Sequence, residues 1–228
     1  MTLIAGVDDA GRGAVLGPLV IAGVLRKEGD LPRLKELKVK DSKLLTPRRR
    51  EKLALEIREI SLKCYVVKTS PAEIDRVVES GRKLHKLNRL EADVMAEVIC
   101  NLKPDIAYVD ASDVIPDRFK QHILERVPFK VEVISEHKAD KLYPIVSAAS
   151  IIAKVERDKA IRELSERYGE IGSGYVSDPR TMVFLERCLE KFSSYPDFVR
   201  KSWKPAKKLK RNHGSRQMKL LPEDENTG

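Results

Sequence analysis

Two apolar runs at the start of the chain enclose a short segment that carries adjacent acids and two glycines. Each run has the length and composition of a buried β-strand, and strands are predicted at residues 2–8 and 18–26. Asp8 and Asp9 lie at the end of the first run. Carboxylates at the end of a rigid strand are suited to hold Mg²⁺ or Mn²⁺, which prefer oxygen ligands. The alternative is a plain hairpin turn whose acids are solvated.

The turn that follows the acids contains two glycines, whose backbone is not covered by side chains. Gly11 and Gly13 flank Arg12, so main-chain N–H and C=O groups can approach a ligand closely. The acid pair, the bare turn and the planar guanidinium together indicate a metal-assisted reaction on a phosphate ester.

The rest of the chain alternates helices with strands. Two helices begin at N-caps followed by proline, Thr46-Pro47 and the capping box Ser70-Pro71-Ala72-Glu73. Further strands are predicted at residues 62–68, 105–110 and 129–134, and further helices at residues 85–102, 116–126, 143–168 and 178–192. This order predicts an α/β fold, in which a mixed sheet is flanked by helices and followed by a C-terminal helical extension.

Two more acids come from distant segments of the chain. Asp110 ends the apolar strand at residues 105–110, and Asp140 directly precedes the long helix that contains many small residues. Hydrolysis of a phosphodiester can use two metal ions about 3.5–4 Å apart, which require several converging carboxylates. Asp8, Asp9, Asp110 and Asp140 are therefore the candidate catalytic and metal-binding residues. Asp140 alone has the alternative role of a helix-capping acid.

Charge, cysteine spacing and the N-terminal apolar run indicate which classes of protein fit this chain. The net charge is +9, and residues 199–219 contain nine Lys or Arg and no acid, which favours binding to nucleic acid. The three cysteines lie far apart in the sequence without the paired spacing of a metal site. The N-terminal apolar run is interrupted by charges, so neither a signal peptide nor a membrane span is expected. We expect a cytoplasmic monomer with no membrane association.

An ordered series of motifs resembles the archaeal form of one known family. The motifs run from the opening segment to the loop that contains Tyr175: Val7-Asp8-Asp9-Ala10-Gly11-Arg12-Gly13, Lys40-Asp41-Ser42-Lys43-Leu44-Leu45, Tyr108-Val109-Asp110-Ala111, His137-Lys138-Ala139-Asp140, residues 144–154 and Gly172-Ser173-Gly174-Tyr175. In this order they resemble type 2 ribonuclease H (ribonuclease HII). The resemblance implies a ribonuclease H-like fold and matches the four candidate acids to the family's catalytic carboxylates. The family usually has Glu at the position of Asp9.

The resemblance also implies which residues read the substrate. Gly11, Arg12 and Gly13 would contact the ribose, and Tyr175 would pack on the sugar at the adjoining position. Lys43 is a candidate contact to a phosphate. Without the resemblance, the residues themselves favour an aromatic at the edge of the core for Tyr175. For Lys43, a solvated lysine in a charged loop is the alternative.

Three regions are predicted along the chain. Residues 1–177 form the ribonuclease H-like catalytic domain, residues 178–205 a helical extension packed on it, and residues 206–228 a charged, disordered tail. Gln217-Met218-Lys219-Leu220 has the start of a motif that docks proteins onto sliding clamps. The two aromatic residues that usually complete that motif are absent, so weak docking is the minor alternative to a passive tail.

The resemblance implies an endonuclease with Mg²⁺ or Mn²⁺ as cofactor and two substrates. These are RNA–DNA hybrids, cut in the RNA strand, and duplex DNA containing ribonucleotides, cut on the 5′ side to leave 3′-hydroxyl and 5′-phosphate ends. Two alternatives stay open, because Asp9 is one methylene shorter than Glu and weakens the acidic site. One is a hybrid-binding module without activity, and the other is a subunit that acts only with partner chains.

Overall fold

The computed structural model describes residues 1–39, 46–80 and 86–220 of the chain. Its described part contains one five-stranded sheet in the order β3-β2-β1-β4-β5. Strands β1, β2 and β3 pair antiparallel, whereas β1, β4 and β5 pair parallel. The strands are β1 (Leu3–Ala10), β2 (Leu19–Lys27), β3 (Lys63–Thr69), β4 (Ile106–Asp110) and β5 (Glu132–Glu136). The predicted mixed sheet is confirmed.

Helices cover both faces of this sheet, as predicted. They are α1 (Pro32–Glu36), α2 (Pro47–Ile60), α3 (Pro71–Glu79), α4 (Lys86–Leu102), α5 (Pro116–Leu124), α6 (Ala139–Leu142), α7 (Pro144–Tyr168), α8 (Pro179–Phe192) and α9 (Lys204–Leu220). Helices α7, α2 and α1 pack on one face and α3, α4 and α5 on the other, each over its own apolar cluster. Alternate residues of β2, such as Val20 and Ile21, enter opposite clusters because side chains alternate along a strand.

Close packing of α7 on β1 fixes the end of the sheet where the acids lie. A Cβ added to Gly6 would come within 2.3 Å of the carbonyl carbon of Ile145, so only glycine permits this approach. The start of α7 therefore rests directly on the strand that carries Asp8 and Asp9.

The C-terminal helices α8 and α9 build a third apolar cluster on the segment after β1. It contains Val15 and Leu16 from that segment, Phe184 and Leu185 from α8, and Val199. Leu16 forms an isolated β-bridge with Val199, and the Arg200 N–H donates to the carbonyl of Val15 (2.9 Å). The extension thus packs on the turn between the first two strands.

The prediction of disorder from residue 206 onward is wrong for residues 206–220, which form most of α9. Ala206 is fully buried and Leu209 is half-buried against the third cluster. The hydroxyl of Tyr195 donates to the carbonyl of Ala206 (3.0 Å), and Lys207 pairs with Glu79 (3.0 Å). These tertiary contacts stabilise a helix that its lysine-rich composition alone does not reveal. Residues 221–228 lie outside the described residues.

Several boundaries differ from the sequence-based expectation. The last strand begins at Glu132 instead of residue 129, because Phe129 packs against the second apolar cluster outside the strand ladder. Helices α1 and α6 are additional to the predicted ones, since each has five residues or fewer and too little apolar periodicity to be recognised. Within the described ranges, no helix combines the length and apolarity that crossing a membrane requires.

Candidate active site

Parallel pairing of β1 with β4 brings two of the predicted acids together. Val7 pairs with Val109, so Asp8 and Asp110 are the next residues on adjacent strands that run in the same direction. Asp140 lies in α6, directly after β5, which is the next parallel strand. The N–H of Ala139 donates to Oδ1 of Asp110 (2.8 Å), which ties the segment of Asp140 to the end of β4. Asp8, Asp9, Asp110 and Asp140 therefore share one end of the sheet, as predicted.

Mutual repulsion and burial perturb the acids at this end of the sheet. Asp8 is 4% exposed, and burial, followed by the charges of Asp9 and Asp110, raises the pKa of its carboxyl well above the usual range. Burial also raises the pKa of Asp9 to about 6, with Arg12 opposing and Asp110 adding to the shift. The site carries more negative charge than its own cations balance, so a divalent cation would be strongly attracted.

The donor set fits a hard divalent cation. Asp8, Asp9 and Asp110 offer carboxylate oxygens, which are the ligands that Mg²⁺ and Mn²⁺ prefer. Over residues 1–39, 46–80 and 86–220, no three His, Cys, Asp or Glu side chains already form a ready-made cage. Asp140 on α6 would complete the set of residues that hold an ion.

The two glycines of the turn after the acids differ in the space around them. Gly11 has a φ of +90°, and a Cβ there would lie 2.8 Å from Cδ of Arg157 and from the carbonyl oxygen of Pro18. At Gly13, by contrast, an added Cβ would meet no atom within 4 Å. Gly13 is exposed and lines the cleft beside Asp9. Its bare backbone can therefore accept a close ligand.

The side chain of Arg12 is partly exposed and is bound by polar groups of α4 and of the segment after β4. Its Nη2 donates to Oδ1 of Asn88 (2.6 Å) and to the carbonyl of Ser112 (3.3 Å), and its Nε pairs with Glu91 (2.9 Å). The carbonyl of Arg12 accepts from Nη1 of Arg200 (2.8 Å). Arg12, which lines the cleft, is thus anchored both by its guanidinium and by its carbonyl.

Tyr175 lies across the cleft from this turn. The preceding residue, Gly174, has a φ of +82°, and its carbonyl accepts from the N–H groups of Val15 (2.8 Å) and Leu16 (3.1 Å). Arg157, 1% exposed, places its guanidinium carbon 4.4 Å from the centre of the Tyr175 ring. The structure therefore brings Tyr175 and the Gly11–Gly13 turn together around one buried arginine.

A cleft of about 340 Å³ joins these elements. Basic and polar side chains from α2 and α7 complete it: Arg50, Ser150 and Lys154. Asp158 pairs with both Arg50 and Lys154 and so holds the two cations at its edge. Lys43, predicted as a phosphate contact, lies outside the described residues.

A larger cleft of about 720 Å³ lies between α3, α4 and α5 and is lined by several basic side chains. Its arginines already have acidic partners: Arg89 pairs with Glu125 and Arg126 pairs with Asp93. It contains none of the predicted acids, so the smaller cleft is the better candidate site.

Sequence reasoning missed four residues that build this site: Asn88, Glu91, Arg157 and Arg200. Arg157 has a detectable signal, since it stands four residues after Ala153 and four before Ile161 on the buried stripe of α7. A charge within an apolar stripe indicates a buried partner. Glu91 has the same signal in α4, where it stands one helical turn before the buried Met95. Arg200 has none.

The chain is similar to known proteins over most of its length. The family model described as Ribonuclease HII matches residues 5–206. Ribonuclease HII of Thermococcus kodakarensis is 50% identical over 208 residues, which cover 90% of this chain and 89% of that protein. The crystal structure of ribonuclease H2 from Pyrococcus horikoshii OT3 is 44% identical, with a TM-score of 0.86 over 93% of this chain and 99% of that one. The structure of the PCNA:RNase HII complex from Archaeoglobus fulgidus is 46% identical, with a TM-score of 0.81 over 89% and 95%.

Proposed function

The chain belongs to the ribonuclease HII family of endonucleases, and from this premise we propose a specific reaction for it. It hydrolyses the RNA strand of RNA–DNA hybrids and also cuts duplex DNA on the 5′ side of an embedded ribonucleotide. The reaction depends on Mg²⁺ or Mn²⁺ and leaves 3′-hydroxyl and 5′-phosphate ends. We expect a monomer to suffice.

The observation that carries this proposal is the group of acids at the ends of β1 and β4. Burial of Asp8 and Asp9, together with the nearby charge of Asp110, raises the pKa of both carboxyls. A protein gains nothing in stability from such an arrangement, because each charge opposes folding. Binding of divalent cations is the function that requires it.

Each acid has a role that follows from its position. Asp8, Asp9, Asp110 and Asp140 would hold the ions, which when bound activate a water and stabilise charge on the leaving oxygen. Asp110 is oriented by the N–H of Ala139, and Asp8 by the N–H of Asp9, which donates to its Oδ1 (2.7 Å). These hydrogen bonds fix the carboxylates before substrate arrives, as efficient catalysis requires.

The ribose is read by backbone and by one aromatic ring. Gly13 offers exposed main-chain groups beside Asp9, where an N–H and a C=O can satisfy both capacities of a 2′-hydroxyl. Tyr175 would pack its ring on the sugar from the opposite side, with Arg157 beneath the ring. The reaction is therefore confined to positions that carry ribose.

Basic side chains bind the phosphates. Arg50 and Lys154 lie at the edge of the cleft, and Lys208, Lys210 and Arg211 are exposed on α9. Such contacts supply affinity without reading sequence. The protein can therefore act at ribonucleotides in many sequence contexts.

Docking onto a sliding clamp through Gln217–Leu220 is a second proposal. It is supported by the similarity to the Archaeoglobus fulgidus protein, whose structure is a complex with PCNA. The segment lies at the end of α9, away from the packed start of that helix. Measured affinity for an archaeal sliding clamp, compared with that of a Gln217→Ala variant, tests this proposal; equal affinities would contradict it.

The reaction is tested with three labelled duplexes: all-DNA, DNA with a single ribonucleotide, and an RNA–DNA hybrid. Each is incubated with Mg²⁺, Mn²⁺ or a chelator, and the product ends are analysed. We expect metal-dependent cuts in the second and third duplexes only, with the end chemistry given above. Binding without cleavage in any metal would favour the hybrid-binding module, and cleavage only after addition of cell extract would favour a partner-dependent subunit.

A further inference from the structure

Glu91 is a fully buried carboxylate in the middle of α4. The neighbours of Glu91 on α4, such as Ala92, Met95 and Ile99, pack into the second apolar cluster. Burial and the charge of Asp9 raise the pKa of Glu91 to about 8, while Arg12 opposes the shift. A lone buried ion pair seldom adds net stability, because desolvation offsets the attraction. The fold of α4 therefore gives no reason for an acid at this position.

The partner of Glu91 is the turn that faces the substrate. Nε of Arg12 donates to Oε2 of Glu91 (3.0 Å) and lies 2.9 Å from Oε1. One helical turn earlier, Asn88 accepts from Nη2 of Arg12 and donates to Asp113 (3.1 Å). Asp113 is itself held by Arg118 through Nε (3.0 Å). A chain of buried polar contacts thus connects Arg12 to two helices.

Arg12 is held at its other end as well. Its carbonyl accepts from Arg200, which is fully buried and also donates to the carbonyl of Gly17 (3.3 Å). Fixing the guanidinium and the carbonyl of one residue fixes the plane of its peptide bond to Gly13. Since Gly13 has no side chain and faces open space, that plane decides which main-chain atoms face the cleft.

We infer that Glu91 is a positioning residue for ribose recognition, which acts by holding Arg12 so that the Arg12–Gly13 backbone faces the sugar. This inference rests on the proposed function, because it assigns the discrimination between ribose and deoxyribose to that backbone. Without the Glu91 carboxyl group, the Arg12 guanidinium loses its hydrogen-bond partner on α4, and the turn gains freedom to rotate. Discrimination then falls, while contacts to phosphate elsewhere on the duplex persist.

The test compares the affinities of two duplexes that differ by one 2′-hydroxyl, measured by fluorescence anisotropy with Mg²⁺. All variants carry the additional substitution Asp110→Asn, which prevents cleavage. Glu91→Gln replaces one of the two oxygens that face Arg12 with an NH2 donor at nearly constant volume, and Glu91→Met removes the hydrogen-bonding group altogether. The Asp110→Asn protein with Glu91 intact should prefer the ribose-containing duplex. We expect either substitution to reduce that preference by roughly fivefold, the scale of one hydrogen bond, with little change in affinity for the all-DNA duplex.

Two control variants on α4 separate positioning from a general structural effect. Glu97→Gln makes the same chemical change at an exposed position, and Val98→Ala loosens the buried core of the same helix. Val98→Ala should lower the melting temperature without altering the preference for ribose. An unchanged preference in both Glu91 variants would overturn the inference, as would an equal reduction of the preference in Val98→Ala. If the Asp110→Asn protein with Glu91 intact shows no preference for the ribose-containing duplex, the proposed recognition of ribonucleotides is itself contradicted.

Discussion

The guanidinium of Arg200 donates a hydrogen bond to the carbonyl of Arg12, 188 residues earlier in the chain (2.8 Å). Arg200 directly follows Val199, which forms a β-bridge with Leu16, so the C-terminal extension packs against the turn beside the acids. The extension is therefore part of the site and not an appendage to it. Buried charges thus position a turn next to carboxylates that repel one another.

Removal of one central acid should abolish cleavage without unfolding the protein. Asp8→Asn or Asp110→Asn is expected to lower the turnover number by about 100-fold or more, because the ions lose a ligand. The melting temperature in the absence of metal should stay equal or rise, since one repelling charge is gone. Duplex affinity should change little. Cleavage at the normal rate by either purified variant would refute the site.

Asp9→Glu should retain activity and raise it with Mg²⁺. The added methylene extends the carboxylate by about 1.5 Å toward the ions, the length of one carbon–carbon bond. The measurement is the ratio of turnover numbers with Mg²⁺ and Mn²⁺ before and after substitution. Asp8→Glu is the matched control: Asp8 is only 4% exposed, so a longer side chain there should disrupt the site. An inactive Asp9→Glu variant would mean that the surrounding pocket has adapted to the shorter acid.

The two glycines of the turn should respond differently to alanine. Gly11→Ala must adopt a φ of +90° and approach Arg157 to 2.8 Å, so the free energy of unfolding should fall by at least about 1–2 kcal/mol. Gly13→Ala meets no neighbour and should fold normally. Its methyl group would nevertheless occupy the space of the ribose and lower kcat/KM for a single-ribonucleotide duplex. Denaturant unfolding and steady-state kinetics measure the two effects, and full activity in Gly13→Ala would argue against backbone recognition.

Without metal, stability should decrease as pH rises from about 4 to 8. The pKa of Asp9 is raised to about 6 and that of Glu91 to about 8 in the folded protein, so the folded state binds more protons than the unfolded state over this interval. The free energy of unfolding then falls by up to about 1.4 kcal/mol per pH unit as each proton is lost. Asp113 and Asp178, whose pKa is lowered, change the free energy of unfolding only at more acidic pH, below this interval.

The control for this pH dependence is a divalent cation, which should reverse the decrease because it replaces the missing protons. Mn²⁺ or Mg²⁺ is therefore expected to raise the melting temperature more at pH 8 than at pH 5, and the half-saturating metal concentration for cleavage should increase as pH falls. Scanning calorimetry at both pH values, with and without metal, checks the first effect. The Asp8→Asn/Asp110→Asn double variant should show almost no response to metal. An equal metal response in that variant would place the ions elsewhere.

The basic surface of α9 should contribute to the salt dependence of binding. Lys208→Gln/Lys210→Gln removes two exposed charges, and the slope of log affinity against log salt should become shallower by about 0.9 for each phosphate that the protein no longer neutralises. The matched control is Lys27→Gln/Lys130→Gln, at the end of the sheet opposite the acids. Equal slopes in the two double variants would mean that α9 does not bind the duplex. Truncation after Pro205 is unsuitable, because it removes the buried Ala206.

Much of the fold could be predicted because its signals are local. The N-cap Thr46 and the capping box at Ser70 begin α2 and α3 as expected, since both use hydrogen bonds within one helical turn. Helix α9 could not be predicted in this way. Its order comes from Ala206 and Leu209, which pack on a cluster assembled from distant segments.

The positions of the candidate acids at the ends of strands follow from the pattern of apolar runs in the sequence. Asp8 and Asp110 each lie at the end of an apolar run that is long enough to form a strand, and parallel pairing then places strand ends side by side. The resemblance to a known family added the turn and Tyr175. Within the described residues, Asp9, the turn and Tyr175 line one cleft. Asp8 and Asp110 lie close enough to raise each other's electrostatic cost, and the segment of Asp140 is tied to Asp110.

The contacts that hold these residues in place come from segments that are distant in the sequence and meet only in the folded core. The partners of Arg12 are Glu91, 79 residues later, and Arg200, 188 residues later. Local patterns cannot encode such pairs, because the energy of a buried charge depends on which opposite group the fold brings within hydrogen-bonding distance. The positions of the acids are therefore a property of the sequence pattern, whereas the orientation of the turn beside them is a property of the packed core.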